Sequence, residues 1–129
     1  MKRILFTLFT LSITHITSAQ STFKKAFDSE TRPTKQDIRV EFHDATGNSG
    51  VLPISIIKGK TEGPVFTIVA GVHGYEYPPI VASQALMNEI NSEDLKGTLV
   101  FVPIANTASF FTRTPFINPQ DKKNLNNAF

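Results

Sequence analysis

Two short apolar runs constrain this chain more than any other feature. "VFTIVAG" (65–71) and "TLVFVPI" (98–104) are each long enough for one strand and nearly free of polar residues. Between them, after two prolines, "IVASQALMNEI" (80–90) places apolar residues at 82, 86 and 90 and at 81 and 85, which is helical spacing. Strand, helix, strand in that order is a βαβ unit, and its crossover makes the two strands parallel. Nearly continuous apolar runs are expected in central strands covered on both faces. Upstream, "IRVEF" (38–42) and "VLPISIIKG" (51–59) flank the turn-rich "HDATGNSG" and predict an antiparallel hairpin. Pro53 hints that the second of these lies at an edge or starts there. "KTEGP" (60–64) reads as a turn. The expected fold class is α/β, a mixed sheet built around one βαβ unit.

Residues 1–19 carry a different signal. Lys2 and Arg3 precede a mostly apolar run from Ile4 to Ile16, which ends in Thr17-Ser18-Ala19. This is the layout of a secretory signal peptide, with cleavage expected after Ala19. The expected location is the periplasm or the exterior of a bacterial cell. The apolar run falls short of the roughly 20 residues that span a bilayer, so no stable membrane anchor is expected. Residues 20–37 are polar and read as a leader or linker, and residues 38–129 as the folded part. Losing Lys2 and Arg3 from the 13 basic residues leaves 11 against 11 acidic ones. No basic patch remains to attract nucleic acid.

There is no cysteine, which excludes disulfides, thiolate ligands and a cysteine nucleophile. A metal site in this chain must be built from His, Asp and Glu. No serine sits in a G-x-S-x-G elbow, and "GKTEG" lacks the spacing of a phosphate-binding loop. One stretch does carry chemistry: "GVHGYEYPP" (71–79), between the first apolar run and the helix. It puts His73 and Glu76 at the carboxyl end of a parallel strand, where open α/β sheets bind ligands. Zinc accepts imidazole nitrogen and carboxylate oxygen, and Gly71 and Gly74 permit a sharp turn that brings both to one ion. The same two residues also read as unrelated polar groups in a turn. His43, at the mouth of the hairpin turn, reads as a surface residue.

The segment after residue 104, "ANTASFFTRTPFINPQDKKNLNNAF", has no helical or strand period and reads as one long loop. The chain stops inside it, so a piece of a larger α/β domain is expected, incomplete at its C-terminus.

"VAGVHGYEYPPI", "VPIAN" and "RTPFINPQDKKNLNNAF", in that order, resemble the succinylglutamate desuccinylase/aspartoacylase family, relatives of the zinc carboxypeptidases. The resemblance covers roughly residues 50–129 and implies a zinc-carboxypeptidase-like fold. It implies that His73 and Glu76 are zinc ligands, within a G-x-H-G-x-E turn, and that Asn126 binds substrate. The family's D/N-L-N-R segment reads Asn124-Leu125-Asn126-Asn127 here, so the arginine that clamps a substrate carboxylate or polarises the scissile carbonyl is replaced by Asn127. Arg113, upstream in the same loop, is a candidate substitute and otherwise a solvated surface residue. The family's third zinc ligand, a later histidine, and its catalytic glutamate have no counterpart before Phe129.

The implied activity is a zinc-dependent deacylase cleaving the amide (or ester) bond of a small N-acyl amino acid-like substrate. The alternatives are a zinc carboxypeptidase acting on peptides, or a non-catalytic exported binding domain of the same fold. The 129 residues alone are expected to be inactive, since no general base is identified among them. Oligomeric state is left open.

Overall fold

The computed structural model describes residues 13–43 and 47–128. The elements run α1 (Ile13–Phe27), β1 (Thr34–His43), β2 (Ser49–Lys58), β3 (Thr61–Val69), α2 (Tyr77–Glu89), β4 (Lys96–Val102) and α3 (Thr107–Thr112), then a 3-10 turn at Leu125–Ala128. The four strands form one mixed sheet in the order β1-β2-β4-β3. β1 and β2 form the expected antiparallel hairpin, β2 runs antiparallel to β4, and β3 runs parallel to β4. The βαβ unit is therefore present as β3-α2-β4.

The hydrophobic centre lies under α1. Ala26 of that helix packs with Val40, Ile54, Ile56 and Val100, and Phe23, Phe27, Ile38, Leu52 and Val102 close around them. The alternation of strand residues explains the membership: Ile54 and Ile56 share a face, and Ile56 lies opposite Val100 in the ladder. The other face of β2 and β4 is covered as well, since Ile57 and Phe101 are both 0% exposed. The C-terminal carbonyls of α1 are tied to the sheet by Lys58, whose ammonium donates to the carbonyls of Phe27 (2.5 Å) and Ser29. Burial pushes the Lys58 pKa down, Arg32 adds to this, and Asp28 opposes it. Arg32 clamps the same end of β2 and β4, donating to the carbonyls of Gly59 (3.2 Å) and Gly97 (3.3 Å) and to Thr98 Oγ1 (3.3 Å).

Several details differ from the sequence reading. Residues 20–27, read as part of a polar leader, are the second half of α1, and β1 begins at Thr34 rather than Ile38. Leader-like polarity there belongs to the exposed side of an amphipathic helix, while Phe23, Ala26 and Phe27 face the sheet. Residues 1–12 of the signal-like segment lie outside the described residues, and α1 runs through Ala19. No helix among the described residues is long and apolar enough to cross a membrane.

β2, which contains Pro53, is an interior strand. The β2–β4 ladder spans only Ser55–Lys58, so Pro53 sits where β2 has a partner on one side and its missing N–H costs little. The strand expected to be buried on both faces is instead at the sheet edge, with Val65, Phe66 and Val69 exposed. Residues 61–64, read as a turn, are the irregular start of this strand. On α2 the covered positions are Ile80 and Ser83, whereas Val81, Ala82, Ala85 and Leu86 of the expected apolar face are exposed.

Burial predicts opposite outcomes for two phenylalanines. Phe101→Ala empties a fully enclosed site and should cost about 3–5 kcal/mol, read as a lowered denaturant midpoint. In this 129-residue chain Phe66→Ala, on the exposed face of β3, should stay within about 0.5 kcal/mol of the parent.

Candidate functional site

The parallel β3–β4 pairing continues beyond both strands. Ala70 donates to Val102 O (2.9 Å), Ala105 to Ala70 O (2.8 Å) and Asn106 to Gly71 O (2.9 Å). The loops leaving the two strands are thus laced together at their carboxyl ends. Gly71 turns the chain at φ +66°, a left-handed conformation that glycine adopts without steric cost. Gly74 is required for a different reason: a Cβ there would lie 2.1 Å from the backbone nitrogen of Phe110. Its N–H donates to the buried Ser109 hydroxyl (3.2 Å), which in turn donates to Thr114 O (2.7 Å). Asn106 caps α3 by accepting from Ser109 N–H (3.1 Å), while its amide donates to Val72 O (3.3 Å). A short helix in the segment read as structureless therefore backs the His73 turn.

The turn closes with Glu76 N–H on His73 O (3.2 Å) and feeds directly into α2, whose first turn holds the two prolines. Glu76 is the N-cap residue, but its side chain makes no cap hydrogen bond. The carboxylate turns to His73 instead, with Oε1 3.0 Å from Nδ1. The other ring nitrogen, Nε2, is 3.0 Å from Asn124 Oδ1. Phe116 packs edge-on against the imidazole (centroids 5.3 Å apart, 87°) and against Tyr75 (5.9 Å, 88°). The hydrogen bond to Glu76, then that to Asn124, raises the His73 pKa above its ordinary 6.5, with partial burial opposing. The imidazolium–carboxylate contact therefore stabilises the fold below pH 6.5 and fades as pH rises through the raised value.

The donor set fits a metal in part. Two donors at about 2.0–2.2 Å from one ion lie roughly 3–3.5 Å apart, and Nδ1 and Oε1 meet that spacing. Among the described residues no group of three His, Cys, Asp or Glu side chains could hold an ion.

The remaining candidates are spread out. A loop closed by Asn118 N–H on Lys123 O (2.8 Å) delivers Asn124 to His73, and Gln120 Nε2 ties that loop to Ser49 O (3.1 Å). Asn126 and Asn127 follow on the 3-10 turn, both exposed. An open cavity of about 520 Å³ lies against Asn124 and Asn127, with Asp121 and Lys123 also in its wall. Arg113 is at the left-handed C-cap of α3, exposed and outside that wall. Sequence reasoning missed Asn124 as a partner of His73, Phe116 as its packing neighbour, and Asn106 and Ser109 as the frame behind the turn. The Asn-x-x-Ser spacing at 106–109 was the available signal for a helix cap.

The frame makes a steric prediction. Gly74→Ala should cost at least about 1–3 kcal/mol through overpacking against α3, whereas Asn106→Ala should cost about 1 kcal/mol from the lost cap. Thermal melting of both variants against the parent checks the order.

Comparison with known proteins places this arrangement. The model of the succinylglutamate desuccinylase/aspartoacylase catalytic domain matches residues 62–129. The N-alpha-acetyl-L-2,4-diaminobutyric acid deacetylase of Halomonas elongata is 35% identical over 79 residues, 61% of this chain and 22% of that protein. An aspartoacylase family protein from Mesorhizobium loti superposes with a TM-score of 0.68 at 26% identity, over 78% of this chain and 31% of its own. The ectoine utilization protein of Ruegeria pomeroyi, in a product-bound structure, gives 0.64 at 27% identity over 78% and 32%. The chain thus spans about a fifth of that deacetylase and about a third of those two structures. With more than half of its residues matched by the family model, the chain belongs to the succinylglutamate desuccinylase/aspartoacylase family.

Proposed function

We propose that the protein is an exported zinc-dependent deacylase that hydrolyses the amide bond of a small N-acylated amino acid. The observation that carries this reading is the 3.0 Å approach of His73 Nδ1 and Glu76 Oε1, with neither group used to cap the helix beside it. His73 and Glu76 would hold the zinc, which supplies a water activated near neutral pH and polarises the scissile carbonyl. Asn126, on the exposed 3-10 turn, would hydrogen-bond the substrate. The general base and a third ligand would come from outside the described residues. Export rests on the signal-like layout of residues 1–19.

One comparison favours acyl amino acids over peptides as substrates: the similar protein from Halomonas elongata is a deacetylase of an acetylated diamino acid.

Two measurements on the intact protein test the reading. His73→Ala and Glu76→Gln should each weaken Zn²⁺ binding by more than the roughly 10–100-fold typical of an outer-shell partner. They should also abolish hydrolysis of N-acetyl amino acids. Stoichiometric zinc without turnover on acyl-amino-acid and peptide panels would favour a binding domain, and turnover of peptides alone a carboxypeptidase. Zn²⁺ affinity should fall as pH drops through the raised His73 pKa, by about tenfold per unit below it, because the metal needs the ring nitrogen free of its proton. Affinity that is flat from pH 8 to 5 would contradict His73 as a ligand.

A further inference from the structure

Phe116 is an open aromatic ring held beside a polar site. It keeps 52% of its surface exposed, and Tyr75, whose ring it meets edge-on, keeps 43%. The same phenyl ring packs edge-on against the His73 imidazole. The backbone is pinned on either side of it. Before it, Thr114 N–H donates to Ser109 O (3.1 Å), and Thr114 O accepts from the Ser109 hydroxyl (2.7 Å). After it, Asn118 N–H donates to Lys123 O (2.8 Å). Pro115 stiffens the short link between these points. Ile117, also exposed, extends the apolar surface. Apolar area fixed in water next to a polar site marks a place where an apolar group docks, and a wall held in place in advance costs little to order on binding.

The surroundings of His73 are thus of two kinds. The cavity against Asn124 has Asp121, Lys123 and Asn127 in its wall. Outside that wall, and in contact with the same imidazole, stands Phe116 with Tyr75 behind it. An N-acyl amino acid divides in the same way, into a charged half and an acyl half joined at the scissile amide. We infer that Phe116 and Tyr75 form the acyl-side wall of the site and select apolar acyl groups, alkyl chains of several carbons or aryl rings, over acetyl and over acidic groups such as succinyl. The inference rests on the deacylase reading given above. A group bound between His73 and Glu76 lies within a few carbon atoms of the Phe116 ring, so a longer alkyl chain reaches it and a methyl group gains little. A charged end on the acyl group would lose its water against the rings.

The test compares kcat/KM of the intact protein on the N-hexanoyl, N-acetyl and N-succinyl derivatives of one amino acid. Free hexanoate and acetate are added separately, with NMR of the Phe116 and Tyr75 ring protons as a readout that needs no turnover. Each methylene taken out of water is worth about fourfold, and a one-sided wall covers the longer chain in part, so hexanoyl should be preferred over acetyl by at least about tenfold. Succinyl should fall below hexanoyl. Phe116→Gln, which keeps the size of the side chain but not its apolar surface, should bring the hexanoyl-to-acetyl ratio close to one, and Phe116→Leu should keep most of it. A general loss of metal or of folded protein lowers both rates and leaves that ratio unmoved. Hexanoate should shift the Phe116 ring resonances, and acetate at equal concentration should not. A parent ratio near one, or a preference that survives in Phe116→Gln, would overturn the inference and leave the deacylase reading standing. Hydrolysis of none of the three substrates would overturn the deacylase reading, and Phe116 resonances unmoved by hexanoate would overturn the wall whatever the turnover.

Discussion

The site depends on the parallel alignment of β3 with β4. Two hydrogen bonds carry that alignment past the last strand residues, from Ala105 N–H to Ala70 O and from Asn106 N–H to Gly71 O. They fix where the chain leaves β3 and where α3 begins, and hence the gap that Gly74 fits. Without them the His73 turn would be a free loop, and the 3.0 Å approach of His73 to Glu76 would be one conformer among many. The position is the one expected of ligand sites in open α/β sheets, at the carboxyl ends of parallel strands. Backbone hydrogen bonds between strand ends thus become geometry at two side chains.

Most of this frame is legible in the sequence. The hairpin of β1 and β2 and the unit β3-α2-β4 follow from apolar period and turn residues. What the period does not give is which neighbour covers an apolar element. "VFTIVAG" is apolar because it is a strand that calls for cover on two faces. Among the described residues it pairs only with β4. The run that does lie buried on both faces is Ile54–Gly59, where Ile56 and Ile57, on opposite faces, sit in the ladder to β4. Helix α2 shows the same limit, since apolar residues around much of its circumference leave several candidate inner faces, and Ile80 with Ser83 holds the covered one. The start of the chain misleads for another reason. Polar residues of the exposed side of α1 look like a linker when Phe23, Ala26 and Phe27 are counted singly.

The site was half legible. His73 and Glu76 stand close in sequence, so a spacing rule finds them. Asn124 is 51 residues from His73, and no local rule pairs them. Phe116 and Ser109 are likewise brought in by the segment after β4, which has no period to announce its short helix. Gly74 stands in a turn, yet what requires glycine there is space beside Phe110. Asn127 lines the cavity without a charge, Arg113 stands exposed and away from it, and Lys123, which no motif singles out, is the cation in its wall.

The central claim is that His73 and Glu76 are two ligands of one metal. Anomalous diffraction at the zinc absorption edge, from crystals of the intact protein grown with Zn²⁺, tests it most directly. The account predicts one peak about 2.0–2.2 Å from both His73 Nδ1 and Glu76 Oε1, with Nε2 still on Asn124. A map with no peak between these atoms, and the imidazole still hydrogen-bonded to the carboxylate, would contradict it.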